Sequence, residues 1–224
     1  MQRRANYEKA LTDISDNLVL MCRYIESVLD KCIIALKERD FDLANEVRDI
    51  DKKVNRLERD IEQACFKLLV MENPVATDFR EVTAALKMIT DLERISDQAW
   101  DIANIAMTFK SDKYIEKLDN IPDMAVIVIQ MVKDGVQAYI NRDLILARSI
   151  AQADEKVDEL FAIIMEYIIQ TVKEKSKKTR RMFKLFMITK YLERIGDHAV
   201  NLGEWVEYAI TGTHPNHEDE DGEQ

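Results

Sequence analysis

Neither glycine nor proline occurs in the first 73 residues, and this absence constrains the fold more than any other feature. The 224-residue chain contains five Gly and three Pro, and the earliest of them is Pro74. A β domain needs these residues at its many turns, whereas this stretch is rich in Leu, Ala, Glu, Lys, Arg and Met, which favour helices. The sequence therefore predicts an all-α fold.

Helical periodicity of the apolar residues continues along nearly the whole chain and divides into six segments. The breaks coincide with Asp residues suited to cap a helix start, in "RDFDLA" (39–44) and "NRDLIL" (141–146), and with Pro74 and Pro122. We predict helices at about 4–39, 42–72, 76–109, 122–140, 143–172 and 178–210.

Two motifs indicate that the last three helices repeat the first three. "LERISDQAWDIAN" (92–104) returns as "LERIGDHAVNLGE" (192–204), and "DKKVNRL" (51–57) returns as "DEKVDEL" (154–160). Because both matches occur in the same order on corresponding helices, we predict two tandem, repeat-related three-helix bundles. The predicted divisions are a first bundle at 1–110, a linker at 111–121, a second bundle at 122–212 and a disordered acidic tail at 213–224.

Charge, apolar runs and cysteines exclude several classes of protein. The net charge of −10 argues against nucleic-acid binding, which needs a basic surface. The longest apolar run, "MAVIVIQMV" (124–132), is far shorter than the ~20 residues that span a bilayer. If one helix holds Cys22 and Cys32, they lie roughly 15 Å apart, too far for a disulfide. We therefore predict reduced cysteines and a cytoplasmic protein.

The duplicated motif places an apolar seam on one side of each helix and acids on another. At 100° per residue the seam is expected to face the core. The seam residues are Leu92, Ile95, Ala99, Ile102 and Ala106 in the first copy, and Leu192, Ile195, Ala199, Leu202 and Val206 in the second.

A second stripe, spaced by four residues, points away from this seam. Its members are Glu93, Asp97 and Asp101 in the first copy, and Glu193, Asp197 and Asn201 in the second. Like charges at this spacing cost a helix about 0.2–0.5 kcal/mol per pair, so their presence in both copies indicates a compensating cation.

The preceding helix of each half carries an oxygen-bearing pair at the same spacing. These pairs are Asp51 with Asn55, and Asp154 with Asp158. Small residues between seam and stripe would let the two helices approach closely; they are Ser96, Ala103, Gly196 and Gly203. Two such helices offer several oxygen ligands, a donor set that favours Mg, Mn or ferric iron and allows Zn. The residues thus predict a cation cluster on each half.

With these motifs the chain resembles the PhoU family, regulators associated with bacterial high-affinity phosphate transport. The resemblance covers about residues 1–212 and implies two three-helix bundles side by side, with multinuclear metal clusters of Fe, Mn, Mg or Zn on their acidic surfaces. Carried over to this sequence, the ligands of the first cluster are Asp51, Asn55, Glu93, Asp97 and Asp101. Those of the second cluster are Asp154, Asp158, Glu193, Asp197 and Asn201.

The same resemblance implies a cytoplasmic homodimer that reaches the membrane only through its partners. These partners would be the ATPase subunit of the phosphate ABC transporter and a sensor histidine kinase. The implied role is negative regulation: restraint of phosphate uptake, and repression of phosphate-starvation genes when phosphate is plentiful.

Three other interpretations compete with this one. A carboxylate-bridged di-iron enzyme would need Glu-x-x-His pairs in the bundle core, and no Glu precedes a His by three positions within a predicted helix, so we predict no enzyme. A metal-free helical adaptor with no phosphate role would use its acids only for solubility. A phosphate receptor would need a Gly-rich cradle or a helix-start nest, and the sequence offers neither.

Overall fold

The computed structural model of the chain describes residues 2–38, 41–72, 74, 76–111, 120–174 and 178–215. These residues form six α-helices and one short 3-10 helix, with no strand among them, which confirms the predicted all-α fold. The helices are α1 (Gln2–Glu38), α2 (Phe41–Glu72), α3 (Thr77–Met107), α4 (Asn120–Asn141), α5 (Leu144–Glu174) and α6 (Thr179–Thr211), and the 3-10 helix is Thr108–Ser111.

Each half is a three-helix bundle. In the first half α1, α2 and α3 all pack on one another, and in the second half α4, α5 and α6 do the same. The halves meet mainly where α3 packs against α6, and also where α1 packs against α4. The described residues thus form the two repeat-related bundles that the motifs predict.

The two duplicated helices run antiparallel to each other. Near the start of α3, the Arg80 Nε lies 3.5 Å from the carbonyl oxygen of Ala209, near the end of α6. At the other end, the Lys184 ammonium donates to the carbonyl oxygen of Thr108 at 2.8 Å. The start of each copy therefore lies beside the end of the other copy across the contact between the halves.

The core is built from the predicted seams. All ten seam residues of α3 and α6 are buried, with at most 1% of their surface exposed. Full burial of a Leu or Ile side chain stabilises a fold by about 1.5–3 kcal/mol, so these two stripes anchor both bundles. Cys22, Cys32 and Cys65 are free and buried, as the sequence predicts.

Small residues on α6 let α5 approach it closely. A Cβ added at Gly203 would lie 2.7 Å from the carbonyl oxygen of Ala147, and one added at Gly196 would lie 2.6 Å from Asp154 Oδ1. Atoms cannot occupy these positions without movement of a neighbour. The predicted close approach of a neighbouring backbone is confirmed at Gly203, whereas at Gly196 the neighbour is the Asp154 side chain.

Element ends agree with the predicted signals to within about three residues. The Asp143 side chain accepts a hydrogen bond from the Leu146 N–H at 3.0 Å, so it caps the start of α5 as predicted. The other predicted cap, Asp40, lies outside the described residues. So do residues 112–119, most of the predicted linker, and residues 216–224 of the predicted tail. Over the part of the chain that is described, no helix is long and apolar enough to cross a membrane.

Candidate functional site

The first acidic face, formed by α2 and α3, is centred on Asp51. The Asp51 carboxylate accepts hydrogen bonds from the Ser96 hydroxyl at 2.9 Å and from the Asn55 amide at 3.4 Å. Ser96 is fully buried, and its small side chain lets α2 carry Asp51 up to α3. Burial and the neighbouring Asp51 charge raise the pKa of Asp97. Burial and the Asp97 charge likewise raise the pKa of Glu93.

Glu58 is a further carboxylate of this face that the sequence analysis missed. Burial, the Glu62 charge and, more weakly, the Asp97 charge raise its pKa. Glu58 in turn contributes to the raised pKa of Glu93. It follows Asn55 by three residues, so helical spacing alone was a sufficient signal for it. The repeat comparison hid it, because the matching position in the second half is Phe161.

The second acidic face is formed by α5 and α6. It contains Asp154, whose pKa is raised the most among the described acids. The pKa of Asp154 is raised from its ordinary 3.8 to about 6, first by burial and then by the charges of Asp158, Asp197 and Glu193. Burial and the Glu193 charge raise the pKa of Asp197. Since Gly196 has no side chain, Asp154 can lie directly against α6. Four of the predicted ligands therefore interact electrostatically at one place.

Lys190 belongs to the second face, and the first face has a threonine at the matching position. The Lys190 ammonium donates to both carboxylate oxygens of Glu193, at 2.6 and 2.5 Å. It also lies 5.6 Å from the centre of the Phe161 ring. The matching position in α3 is Thr90, whose hydroxyl donates to the Leu86 carbonyl of its own helix. The two faces are thus related by the repeat but differ in charge.

Asp101 and Asn201 contact the opposite half of the molecule. The Asn201 amide donates to Asp91 at 3.1 Å, and His198 Nδ1 lies 2.8 Å from the same oxygen. At the matching positions of the repeat, Asp101 accepts a hydrogen bond from the Tyr191 hydroxyl. Burial, then the Asp101 charge and this hydrogen bond, raise the pKa of Tyr191. The Asp101 charge also reaches Asp97. Both residues therefore join α3 to α6, and their service as ligands stays a prediction.

The donor set suits a hard cation in kind, but the side chains are not gathered around one point. Among the residues that the structure describes, no three His, Cys, Asp or Glu side chains converge closely enough to hold a metal ion. Protein donors hold two of these carboxylates, Ser96 and Asn55 on Asp51 and Lys190 on Glu193. The Asn55 Oδ1 is buried without a hydrogen-bond partner, an arrangement that normally costs stability. A set of oxygen ligands that includes the unpaired Asn55 Oδ1 fits a hard ion, provided that the carboxylate side chains rotate toward a common point.

Without metal, the protein is expected to gain stability as the pH falls from 7 to 5. The folded-state pKa of Asp154, about 6, exceeds the ordinary 3.8, so its contribution is complete below pH 3.8 and is lost as pH rises through 6. Each pKa unit corresponds to about 1.4 kcal/mol, but solvent screening of this half-exposed group reduces the expected gain to about 1 kcal/mol. Urea unfolding in EDTA at both pH values measures it.

The matched variants for this measurement are Asp154→Asn and Glu155→Gln. Asp154→Asn should be more stable than the wild type at pH 7 and should lose most of the pH slope. Glu155 is exposed on the same helix, so Glu155→Gln should keep the slope. Equal slopes in both variants would contradict the assignment to Asp154.

The fold and these faces define a class: internally duplicated helical proteins with an acidic face on each half. The sequence model of the PhoU domain matches residues 18–106 and again residues 121–206. The chain therefore belongs to the PhoU family, and the resemblance noted from its motifs is confirmed.

Individual relatives are similar in sequence to this chain over more than nine tenths of its length. A phosphate-specific transport system accessory protein PhoU homolog of Pseudomonas putida is 31% identical over 94% of this chain and 83% of its own length. The homolog of the same name from Clostridium acetobutylicum is 31% identical over 93% of this chain and 96% of its own. The crystal structure of PhoU from Pseudomonas aeruginosa superposes with a TM-score of 0.88 at 30% identity, covering 92% of this chain and all of that one.

Proposed function

We propose that the protein is an accessory protein of a phosphate transport system. It acts as a negative regulator of phosphate uptake and of phosphate-starvation signalling. The observation that carries the proposal is the likeness to accessory proteins of phosphate-specific transport over more than nine tenths of the chain, at 31% identity. Duplicated acidic faces at the positions of the family's motifs support it from the side of the geometry.

The regulator works by docking on other proteins, the ATPase subunit of the phosphate ABC transporter and a sensor histidine kinase. Long helices with side chains open to solvent suit such contacts. Phe66 and Val70 lie one turn apart on α2 and are 51% and 81% exposed, so together they offer an apolar patch to a protein partner. We place the protein in the cytoplasm as a homodimer that reaches the membrane through these partners.

Metal ions, namely Fe, Mn, Mg or Zn, bind the two acidic faces in this proposal. When bound, a cation neutralises carboxylates whose pKa values are raised by burial and then by their mutual repulsion. Asp51, Asn55, Glu93 and Asp97 would hold it on the first face, with Glu58 beside them. Asp154, Asp158, Glu193 and Asp197 would hold it on the second face. Bound metal thereby changes the charge of the surface on which the partner proteins dock.

Deleting the gene is expected to leave phosphate-starvation genes expressed in phosphate-rich medium, because the regulator that represses them is gone. A promoter reporter measured in high and low phosphate checks this. The wild-type gene should restore repression, and a variant with Asp51→Asn, Glu93→Gln and Asp97→Asn should restore it only in part.

The control for complementation is Glu155→Gln with Glu159→Gln, which removes two exposed charges outside the predicted ligand set. It should repress as the wild type does, at equal protein level by immunoblot. A deletion strain that still represses normally would exclude the regulatory role.

A second candidate is a metal-free helical adaptor with no phosphate role. The observation that favours it is the lack of any converged ligand group among the described residues. Elemental analysis of protein purified without a His-tag separates the candidates, since the adaptor would carry no stoichiometric metal.

A further inference from the structure

We propose that Lys190 is a built-in counter-ion of the second acidic face. It holds Glu193 in place of a metal ion, so the two faces bind metal with unequal affinity and the first face fills first. The inference rests on the proposed cation binding and adds to it an order of loading that the repeat alone would not suggest.

Lys190 is positioned to neutralise Glu193 closely. It precedes Glu193 by three residues on α6, which places both side chains on one side of the helix. Its ammonium contacts both carboxylate oxygens, at 2.6 and 2.5 Å. The Glu193 side chain is only 17% exposed, so this ion pair is better shielded from water than an ordinary surface pair. A metal ion approaching Glu193 therefore meets a carboxylate whose oxygens are already occupied.

Phe161 supports the ammonium from the facing helix. Its ring centre lies 5.6 Å from the Lys190 nitrogen, within the range of a cation–π contact. In the first half the position of Phe161 belongs to Glu58, a carboxylate that adds negative charge to the first face. Lys190 in place of Thr90 and Phe161 in place of Glu58 both make the second face less negative than the first.

The first face has no equivalent of Lys190. At the matching position, the neutral Thr90 hydroxyl is turned to the Leu86 carbonyl of its own helix. The described ion pair of Glu93 is with its neighbour Arg94, at 3.7 Å from a single oxygen, and Arg94 is 59% exposed. An exposed Arg at the matching position, Arg194, accompanies the second face too, so Arg94 and Arg194 do not distinguish the halves.

The charges then decide the order of loading. The first face carries Asp51, Glu58, Glu93 and Asp97, and the Asp101 charge reaches it as well. The second face carries Asp154, Asp158, Glu193 and Asp197. Among the described contacts of these carboxylates, a lysine ammonium is bound to Glu193 of the second face. A divalent ion on the second face must displace the ammonium or bind beside it, and either course lowers the affinity.

The test is a Mn²⁺ titration of the full chain by isothermal calorimetry, with free Mn²⁺ followed by electron paramagnetic resonance. The wild type should show a strong and a weak class of site. Lys190→Thr, which installs the first half's residue, should strengthen the weak class about tenfold. Thr90→Lys, which installs the counter-ion in the first half, should weaken the strong class by a similar factor.

The control is Lys156→Gln, because Lys156 is an exposed lysine on α5 and its removal changes the net charge equally. It should leave both classes within about twofold of the wild type, since screening weakens distant charges. Circular dichroism verifies folding, and either variant alone suffices if the other fails to fold.

Each outcome bears on a different claim. No Mn²⁺ binding by the wild type would remove the proposed cation binding itself. Two classes of equal affinity, or affinities that neither exchange variant shifts, would overturn the role of Lys190 while leaving cation binding intact. Opposite shifts in the two exchange variants support it.

Discussion

Replacing Gly203 by leucine is expected to lower the free energy of unfolding by about 3 kcal/mol. Gly203 is buried in α6, and an added Cβ would lie 2.7 Å from the Ala147 carbonyl oxygen and 3.3 Å from Ile150 Cδ1. The nearest atom belongs to the backbone of α5 and cannot rotate aside. The two helices must therefore separate, and the seam beneath them loses packing.

Urea unfolding followed by circular dichroism in EDTA measures this effect without interference from metal. Gly203→Ala should cost less, because the shorter side chain clashes less and alanine favours a helix by about 1 kcal/mol over glycine. Ala151→Leu adds the same bulk at an exposed position of α5 and should change stability by less than about 0.5 kcal/mol. If Gly203→Leu unfolded at the same urea concentration as the wild type, the close contact of α5 with α6 would be contradicted.

The same close contact sets the electrostatics of the second face. Gly196 stands about two turns before Gly203 on α6, and the space left by its missing side chain is filled by the Asp154 carboxylate. If the helices stood farther apart, Asp154 would be hydrated and distant from Asp197. Its raised pKa is thus a consequence of packing. On the first face the matching position is Ser96, whose hydroxyl donates a hydrogen bond to Asp51.

The fold was predictable because its determinants are local and periodic. Few residues that break helices occur, so six helices follow from the positions of those few. The seam residues, such as Leu92 and Leu192, recur at the helical period and were identified by direction alone. The small residues beside them predicted close packing, since only that role compensates the cost of glycine in a helix.

The site was less predictable because its contacts depend on which helices face each other. A projection of α3 gives the direction of Asp101 but cannot show that Tyr191 of the antiparallel α6 meets it. The contact of Asn201 with Asp91 is hidden for the same reason. The role of Lys190 was not predictable from the repeat of the acids, because whether a lysine three residues before Glu193 contacts its carboxylate depends on the rotamer of both side chains.

Saturating Mn²⁺ is expected to raise the melting temperature of the wild type markedly. A ligand that binds only the folded state at a hundred times its Kd stabilises it by about 2.7 kcal/mol per site, which corresponds to a shift of about 5–10 °C for a protein of this size. Asp154→Asn with Asp158→Asn removes two oxygen ligands of the second face and should remove about half of that shift. Glu155→Gln with Glu159→Gln makes the same change of charge on exposed positions of the same helix and should keep it.

The pH dependence of this shift separates ligation from general charge neutralisation. Metal ligands must be deprotonated, and Asp154 takes up its proton near pH 6, so the Mn²⁺ shift should shrink between pH 7 and 5. Over the same interval the metal-free protein should become more stable, because protonation of Asp154 relieves the cost of burying its charge and then the repulsion from the neighbouring acids. Melting curves with Mn²⁺ and with EDTA at both pH values give the two slopes. Opposite slopes require that protons and metal compete for the same carboxylates. An equal Mn²⁺ shift of the melting temperature in both double variants would show that the ion does not bind through Asp154 and Asp158.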